Sequence, residues 1–369
     1  MLSHLRFPVG SSHGRRYPEP EHPYRNAFQR DRDRIVHSRT FRRLEHKTQV
    51  FAPALSDHFR NRLTHTIEVA QIARTVANVL GLEEDFTEAL ALVHDVGHPP
   101  FAHAGEEALN RMMQPFGERF NHNIQSLRTV DSLEHRYPRF PGLNLTFEVR
   151  EGIVKHSRDF GPGESPALDE YLPGLRPPLE AQLIDLADEV AYNTADLDDA
   201  YEAGLLQPEQ IAAAVPAYAE ILDAVETQFP GATERERFQE SVRQLVDDLV
   251  SGLIEGTAAT ARAACLDGVE GVRRHAGRIA QFTAGARATS AQVKAFLHRN
   301  VYSSGALEED RRESMRRLTE MFGFLMAHPE KVPAADTGVP IHRAVCDFIA
   351  GMTDRYFLRM YDTLLPAPK

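Results

Sequence analysis

The chain has 369 residues, of which 42% are hydrophobic, and its formal net charge is −11. That length can bury one large core or a core with an appended lobe. The net charge argues against general electrostatic binding to nucleic acid, and no apolar run approaches the ~18 residues of a membrane helix. The first residues lack the apolar run of a signal peptide, and Cys265 and Cys346 have no metal-ligand neighbours. We therefore expect a cytoplasmic protein with two free thiols.

The N-terminal region combines an irregular segment with an excess of positive charge. Residues 1–23 are rich in Pro, Gly, Ser and His without periodicity, and we expect a flexible arm there. Residues 1–50 carry eleven Arg or Lys against five Asp or Glu. We expect most of these basic residues to be solvated or to pair with a neighbouring subunit, with the lining of a phosphate pocket as the alternative, and weak binding to nucleic acid stays open. From residue 24 onward, apolar residues recur at helical spacing.

A helix is predicted to begin near His65. The apolar positions from Ile67 to Leu80 form a stripe, and Gly81 ends it. His65 would lie in the first turn, where a single histidine is more often a capping or surface residue. Its separation of 29 residues from His94 is what two packed helices joined by a short turn need to bring both imidazoles together. His65 is therefore a ligand candidate in company with His94.

The stretch from residue 94 to 106 carries the strongest chemical signal. His94 and Asp95 follow the apolar run 89–93, and Gly97 and two prolines then break the backbone. A buried helix that ends in this way holds an imidazole and a carboxylate at a fixed point of the core, where a metal ion could bind them. The alternative interpretation is a histidine-rich surface turn. Further imidazole and carboxylate groups follow in the same stretch: His98, His103 and Glu106.

A long helix is predicted from residue 179 onward. Asp188, Tyr192 and Asp196 are spaced by four residues along it, so their side chains project from one face. Asp188 has apolar neighbours such as Val190, and burying its charge there would be costly unless a cation paired with it. The pattern therefore favours Asp188 as a metal ligand.

A second set with the same spacing consists of Lys294, His298 and Tyr302. On a helix these residues share one face, which would offer a cation, an imidazole and a phenol. This combination suits a polyphosphate together with a sugar or a base.

The other segments carry weaker signals. Residues 157–178 are loop-like and could form a lid or an insertion. Lys155 and His156 are expected at the surface. Residues 201–290 predict a helical packing lobe, and a final helix over 344–364 is expected to give structural support.

These motifs resemble those of the HD phosphohydrolase superfamily and, within it, the deoxynucleoside triphosphate triphosphohydrolases, the dGTPase-like family. The resemblance covers residues ~24–200 and ~290–364, which is most of the chain. It implies an all-α fold with an HD-domain helical core and an appended C-terminal helical lobe. The expected domains are the core over 24–200, the packing lobe over 201–290, and C-terminal helices over 291–369 that complete the nucleotide site.

The resemblance also implies roles for individual residues. One divalent ion (Mn, Mg, Fe, Co or Ni) would be held by four ligands: His65, His94, Asp95 and Asp188. An additional Mg could arrive with the triphosphate. His103 is expected to be the general acid, oriented and kept protonated by Glu106. His98 would bind phosphate or support the attacking water, and His122 would lie close to the catalytic group. The expected substrate contacts are Gln49, Arg62, Tyr192, Asp196, Lys294, His298 and Tyr302.

The implied reaction converts a dNTP, with dGTP among the candidates, into a deoxynucleoside and inorganic triphosphate. Members of the family are commonly homo-oligomers, hexamers or tetramers, and some are activated by a second dNTP. Two other classes stay open. One is an HD nucleotidase or phosphodiesterase acting on alarmones or cyclic nucleotides, which would release no triphosphate. The other is a non-catalytic nucleotide sensor.

Overall fold

The computed structural model describes residues 1–50, 59–165, 167–333 and 338–365. Within these ranges the regular structure is helical apart from two isolated β-bridges, which confirms the predicted all-α class. No helix among them is long and apolar enough to cross a membrane. The α-helices of the described ranges are α1 (Ala27–Val36), α2 (Arg39–Arg43), α3 (Arg62–Leu80), α4 (Glu84–Val93), α5 (Ala102–Met113), α6 (His122–Arg128), α7 (Phe147–Val154), α8 (Leu179–Glu202), α9 (Pro208–Ala214), α10 (Pro216–Gln228), α11 (Glu234–Ala263), α12 (Val269–Arg274), α13 (Ala284–Leu297), α14 (Gly305–Ala327), α15 (Ile341–Ala350) and α16 (Asp354–Leu364).

Helix α3 is the centre of the main core and packs against both α4 and α8. Its start is fixed by a reciprocal cap. The Asn61 side chain accepts a hydrogen bond from the backbone N–H of Thr64 at 3.0 Å, and the Thr64 hydroxyl accepts one from the backbone N–H of Asn61 at 3.1 Å. Gly81 ends the helix in the left-handed conformation, with φ 79°. The cap places His65 in the first turn, as the sequence predicts.

The loop after α4 passes unusually close to α6. A Cβ atom on Gly97 would lie 2.2 Å from the backbone nitrogen of Ser126 and 2.3 Å from the carbonyl oxygen of His122. The Gly97 N–H donates to the Ser126 hydroxyl at 2.9 Å. Because only glycine permits this approach, Gly97 sets how closely His122 lies to the His94–Asp95 pair.

Gly97→Ala should therefore destabilise the protein by at least ~2 kcal/mol, since the new methyl group meets backbone atoms that cannot move independently. Urea denaturation of the metal-free protein measures this change. Gly323→Ala is the matched control, because Gly323 is exposed within α14 and an added Cβ would meet no atom within 4 Å. That control should gain up to ~1 kcal/mol from helix propensity. Equal stability of Gly97→Ala and wild type would contradict the argument.

The predicted packing lobe is built on α11 and is continuous with the main core. Helix α11 packs against α8, α10 and α13. Its apolar residues, among them Phe238, Leu245 and Leu253, are buried in the same apolar cluster as α3 and α4. The residues from 201 to 290 therefore support α8, which carries Asp188.

The N-terminal residues are packed rather than free, which corrects the expectation of a flexible arm over 1–23. Leu2, Leu5 and Phe7 are buried in the main apolar cluster. The backbone N–H of Phe7 also donates to the Glu180 carboxylate at 2.9 Å. The composition was misleading because three isolated apolar residues can anchor an irregular segment without showing a helical or strand period.

The C-terminal helices form a second apolar cluster with α5. The final helix predicted over 344–364 is in fact two helices, because Thr353 caps a new helix by accepting a hydrogen bond from the backbone N–H of Tyr356. At the start of α16, Asp354 accepts hydrogen bonds from the backbone N–H groups of Phe101 at 3.1 Å and Thr48 at 2.8 Å. The C-terminal helices thus hold two segments that border the site.

Candidate metal centre and active site

A cavity of about 710 Å³ collects most of the predicted site residues. It lies between the first turn of α3, the loop after α4, the middle of α8 and the end of α13. The predicted residues that line it are Gln49, Arg62, His65, Asp95, His98, His103, His122, Asp188, Tyr192, Asp196, Lys294, His298 and Tyr302. His94 and Glu106 do not line the cavity. His94 lies next to His65 and Asp95, and Glu106 lies next to His122, which do line it.

Three of the four predicted metal ligands form a compact cluster. His65, His94 and Asp95 offer ligand atoms that all lie within 4.8 Å of one another. The Nδ1 of His94 is 2.7 Å from the carbonyl oxygen of Ala91, so Nδ1 carries the proton and Nε2 has a free lone pair. That Nε2 atom is buried and has no hydrogen-bond partner in the described part of the chain. Such an orphaned imidazole nitrogen is costly unless it binds a cation, and these residues therefore fit a divalent metal ion.

Asp188 reaches the same cluster from α8. Its Oδ1 is 2.9 Å from Nε2 of His65 and 3.9 Å from Nε2 of His94. Burial alone would raise the pKa of Asp188, but the hydrogen bond and charge of His65 outweigh it and keep this pKa below its usual value. The same pair raises the pKa of His65 against the effect of burial. Two imidazoles and two carboxylates form a donor set that suits Mn, Fe, Co, Ni, Zn or Mg.

Arg62 and His98 hold the carboxylate of Asp95 from two sides. Oδ2 of Asp95 accepts a hydrogen bond from Nη1 of Arg62 at 2.5 Å, and Oδ1 lies 2.9 Å from Nδ1 of His98. Burial opposes ionisation, yet these two neighbours hold the pKa of Asp95 well below its usual value, with Arg62 as the charged one because burial lowers the pKa of His98 well below its own usual value. The Nε of Arg62 is buried and has no hydrogen-bond partner among the described residues. Arg62 thus fixes the Asp95 carboxylate and keeps one N–H group beside the cavity for which the described residues offer no partner.

Glu106 pairs with His122 and not with His103, which corrects the expected pairing. Its carboxylate lies 2.9 Å from Nδ1 of His122 and also accepts a hydrogen bond from the His122 backbone N–H at 3.0 Å. The reason is that His122 begins α6, so its backbone N–H is not used within the helix. Burial would raise the pKa of Glu106, but His122 lowers it to about 2 and the carboxylate stays ionised.

The imidazole of His122 lies together with two others, those of His98 and His103. The rings of His98 and His122 are stacked with centroids 3.9 Å apart, and His103 meets His98 edge-on at 6.2 Å. His103 is exposed to the cavity. Desolvation by the surrounding protein lowers the pKa of His103, and the charge of Arg62 lowers it further. The charge of Glu106 acts in the opposite direction. Glu106 thus acts on His103 in the expected direction, but desolvation and the charge of Arg62 outweigh it.

The helix faces predicted on α8 and α13 meet across the cavity. The hydroxyl of Tyr302 donates to Oδ2 of Asp196, and burial raises the pKa of Asp196 to about 7. The Nζ of Lys294 lies 5.6 Å from the centroid of the Tyr192 ring. His298 begins a π-helical turn, residues 298–302, so the spacing by four holds along the chain but not on a regular α-helix.

His156 is a site residue that the sequence analysis wrongly expects at the surface. It is buried, lines the cavity, and its ring centroid lies 5.3 Å from that of His94. Burial opposes its protonation, but Asp185 raises the pKa of His156 to about 9. A sequence signal exists, because the buried helix α7 ends shortly before His156 just as α4 ends at His94. Helix α14 adds a further set of lining residues that no motif indicates: Leu307, Glu308, Asp310, Arg311 and Ser314.

Comparison with known proteins agrees with this geometry. Residues 62–193 match the HD domain family, and residues 280–363 match the phosphohydrolase-associated domain. The fold and site thus define an all-α HD-domain protein whose His/Asp cluster could hold a divalent metal ion. The chain is 44% identical over 361 residues to a protein of Geobacter sulfurreducens, covering 96% of this chain and 92% of that protein. It is 45% identical over 359 residues to one of Azoarcus sp., covering 96% and 93%. Both relatives are named deoxyguanosinetriphosphate triphosphohydrolase-like protein, and this chain belongs to that family of HD-domain hydrolases.

Proposed function

We propose that the protein hydrolyses a deoxynucleoside triphosphate to the deoxynucleoside and inorganic triphosphate, with dGTP as one candidate substrate. The observation that carries the proposal is the buried, partnerless Nε2 of His94 beside His65 and Asp95, at the wall of a nucleotide-sized cavity. The names of the relatives support the same reaction class. One divalent ion would be held by these three residues together with Asp188.

The bound ion would supply Lewis-acid stabilisation of the negative charge on the phosphoryl group. The protein residues prepare the site for it. Arg62 and His98 keep Asp95 ionised and oriented, and the carbonyl of Ala91 fixes the tautomer of His94. Cation binding requires unprotonated ligand atoms that point at one place, so the ion would replace the proton that Nε2 of His65 shares with Asp188.

The proton transfer is proposed for the imidazoles beside this centre. Water attacks the α-phosphorus and gives up a proton to solvent, the bond from phosphorus to the 5′ oxygen breaks, and that oxygen leaves with the proton that an imidazole donates. His103 is the proposed donor because its imidazole is exposed to the cavity. It also makes no hydrogen bond to Glu106, so its ring is available to contact the substrate. The ionised Glu106 holds the His122 ring in position by hydrogen bonds. That ring stacks on His98, which in turn meets His103.

Cationic groups would bind the triphosphate. Arg62 and Lys294 both line the cavity, and their charges are needed because a chain of net charge −11 repels a polyanion. His298 lines the same wall and is proposed as a further phosphate or nucleoside contact. Magnesium bound to the triphosphate would reduce the repulsion further.

The sugar would lie against Tyr192 and Asp196, with Tyr302 behind. Oε1 of Gln49 is buried and has no hydrogen-bond partner within the described ranges, so a sugar hydroxyl could donate to it. The ring of Tyr192 would take the space that a 2′-hydroxyl needs, and a ribonucleotide would have to displace it. Asp196 already accepts from Tyr302, and its second oxygen is the proposed acceptor for the 3′-hydroxyl.

The test is to strip the pure protein of metal, reload it with Mn or Mg, and incubate it with each of the four dNTPs and with GTP. Ion-exchange chromatography then identifies the phosphate product. We expect inorganic triphosphate and deoxynucleoside, with much slower turnover of GTP. Pyrophosphate or orthophosphate would instead indicate a different HD nucleotidase. Activity only in dNTP mixtures would reveal an activating nucleotide, and no product in mixtures would favour the nucleotide sensor.

The identity of the metal, a cytoplasmic location and a homo-oligomeric state, hexamer or tetramer, stay predictions from the sequence and its family resemblance.

A further inference from the structure

His156 is held in place by a chain of charged groups that plays no part in the proposed reaction. Nδ1 of His156 lies 2.6 Å from Oδ1 of Asp185. Asp185 in turn is contacted by the guanidinium of Arg278 and accepts a hydrogen bond from the Ser157 backbone N–H at 2.9 Å. The ring therefore has one edge in ion-pair contact with a carboxylate that Arg278 and Ser157 hold in place.

The backbone around His156 is anchored as well. Its carbonyl oxygen accepts a hydrogen bond from the Asn123 side chain on α6 at 2.8 Å. The preceding residue, Lys155, is buried and donates to Glu151 at 2.7 Å and to the carbonyl oxygen of Leu175 at 2.9 Å. Helices α6 and α7 and the loop before α8 thus all determine where the imidazole lies.

The opposite edge of the ring faces two of the proposed metal ligands. Nε2 of His156 is 3.9 Å from Oδ2 of Asp188, and the ring packs against that of His94 with centroids 5.3 Å apart. Asp188 uses its other oxygen, Oδ1, toward His65 and His94. His156 consequently occupies the side from which the Asp188 carboxylate could otherwise rotate away.

We propose that His156 is a positioning residue of the metal centre, which holds the Asp188 carboxylate and the His94 ring in the arrangement that binds the ion. This inference rests on the ligand set of the proposed function. The contacts from Arg278 to Asp185 and from Asp185 to His156 would then restrict the movement of two proposed ligand side chains, those of Asp188 and His94. Outer partners of this kind typically change metal affinity by about 10- to 100-fold when they are removed.

The test measures Mn²⁺ binding by titration calorimetry, without any nucleotide. His156→Phe keeps a ring against His94 and removes both nitrogen atoms. We expect its Mn²⁺ affinity to fall by at least about tenfold. His156→Gln, whose amide can still donate one hydrogen bond, should regain part of that loss. His135→Phe is the matched control at an exposed position and should bind Mn²⁺ like the wild type.

Thermal unfolding of each metal-free variant separates positioning from folding. If His156→Phe did not fold, Asp185→Asn would decide, since it keeps His156 and weakens its anchor, and its Mn²⁺ affinity should also fall. Wild-type affinity in folded His156→Phe, or in Asp185→Asn where the former is unfolded, would overturn the inference. If the wild type itself bound no Mn²⁺, the ligand set and this inference would both be wrong. If it bound Mn²⁺ but released no triphosphate, only the proposed reaction would fail.

Discussion

Replacing Asp188 by Ala should abolish tight binding of the divalent ion and reduce turnover by about a thousandfold, equivalent to ~4 kcal/mol of transition-state stabilisation. The carboxylate lies 2.9 Å from His65 and 3.9 Å from His94, so its removal leaves the two imidazoles with Asp95 as the one remaining carboxylate of the proposed ligand set. Metal content after dialysis and turnover of the preferred dNTP at saturating Mn²⁺ are the two measurements.

Asp223→Ala is the control for this experiment, because Asp223 is an exposed aspartate on α10 and does not line the cavity. It should leave both metal content and turnover unchanged. If Asp188→Ala retained stoichiometric metal and wild-type turnover, Asp188 would not be a ligand. If it retained metal but lost turnover, the ion would be held by the other three residues alone.

Glu106→Gln and His122→Ala should each lower turnover by roughly 10²- to 10⁴-fold, the range for a positioned proton-transfer group, and the double variant should be no worse than His122→Ala. The reason is that all three hydrogen bonds found for the Glu106 carboxylate within the described residues go to His122, two to its ring and one to its backbone N–H, so the effect of Glu106 on the imidazoles depends on the His122 ring. Turnover of the four proteins at saturating metal and dNTP provides a double-mutant cycle, in which residues that act together show strong non-additivity.

The same cycle with His103→Ala serves as the comparison. His103 and Glu106 have ligand atoms within 4.8 Å of each other, but no hydrogen bond joins them. If Glu106 acts through His122, the losses of turnover caused by Glu106→Gln and by His103→Ala should be closer to additive. Non-additivity with His103 and additivity with His122 would restore the pairing that the sequence first indicated.

The cluster proposed to hold the metal ion could be predicted from the sequence because most of its signals are local. His94 and Asp95 are adjacent and follow a buried apolar run, and Asp188 lies on a face whose neighbours are apolar. A charged residue at such a place must be paired or bound to a cation, whatever the rest of the fold does. His65, Asp95 and Asp188 line the cavity, and His94 offers a ligand atom within 4.8 Å of those of His65 and Asp95.

The roles of His156, Glu106 and the N-terminal residues could not be predicted in the same way. His156 is buried against His94, Asp185 on α8 and Asn123 on α6, and no pattern in its own segment indicates these contacts. Glu106 is within reach of both His103 and His122, and the choice depends on where α6 begins. Leu2, Leu5 and Phe7 are buried by helices far along the chain.

The sequence by itself determined the all-α class, the family and the residues on which the metal centre is proposed, because helical period, caps and short motifs act over a few residues. Only the tertiary structure decided which carboxylate pairs with which imidazole, that Asp354 holds Phe101 and Thr48, and that His156 faces Asp188. These are contacts between groups far apart in sequence. Their partners depend on distances of an ångström or two between packed helices, which no local pattern specifies.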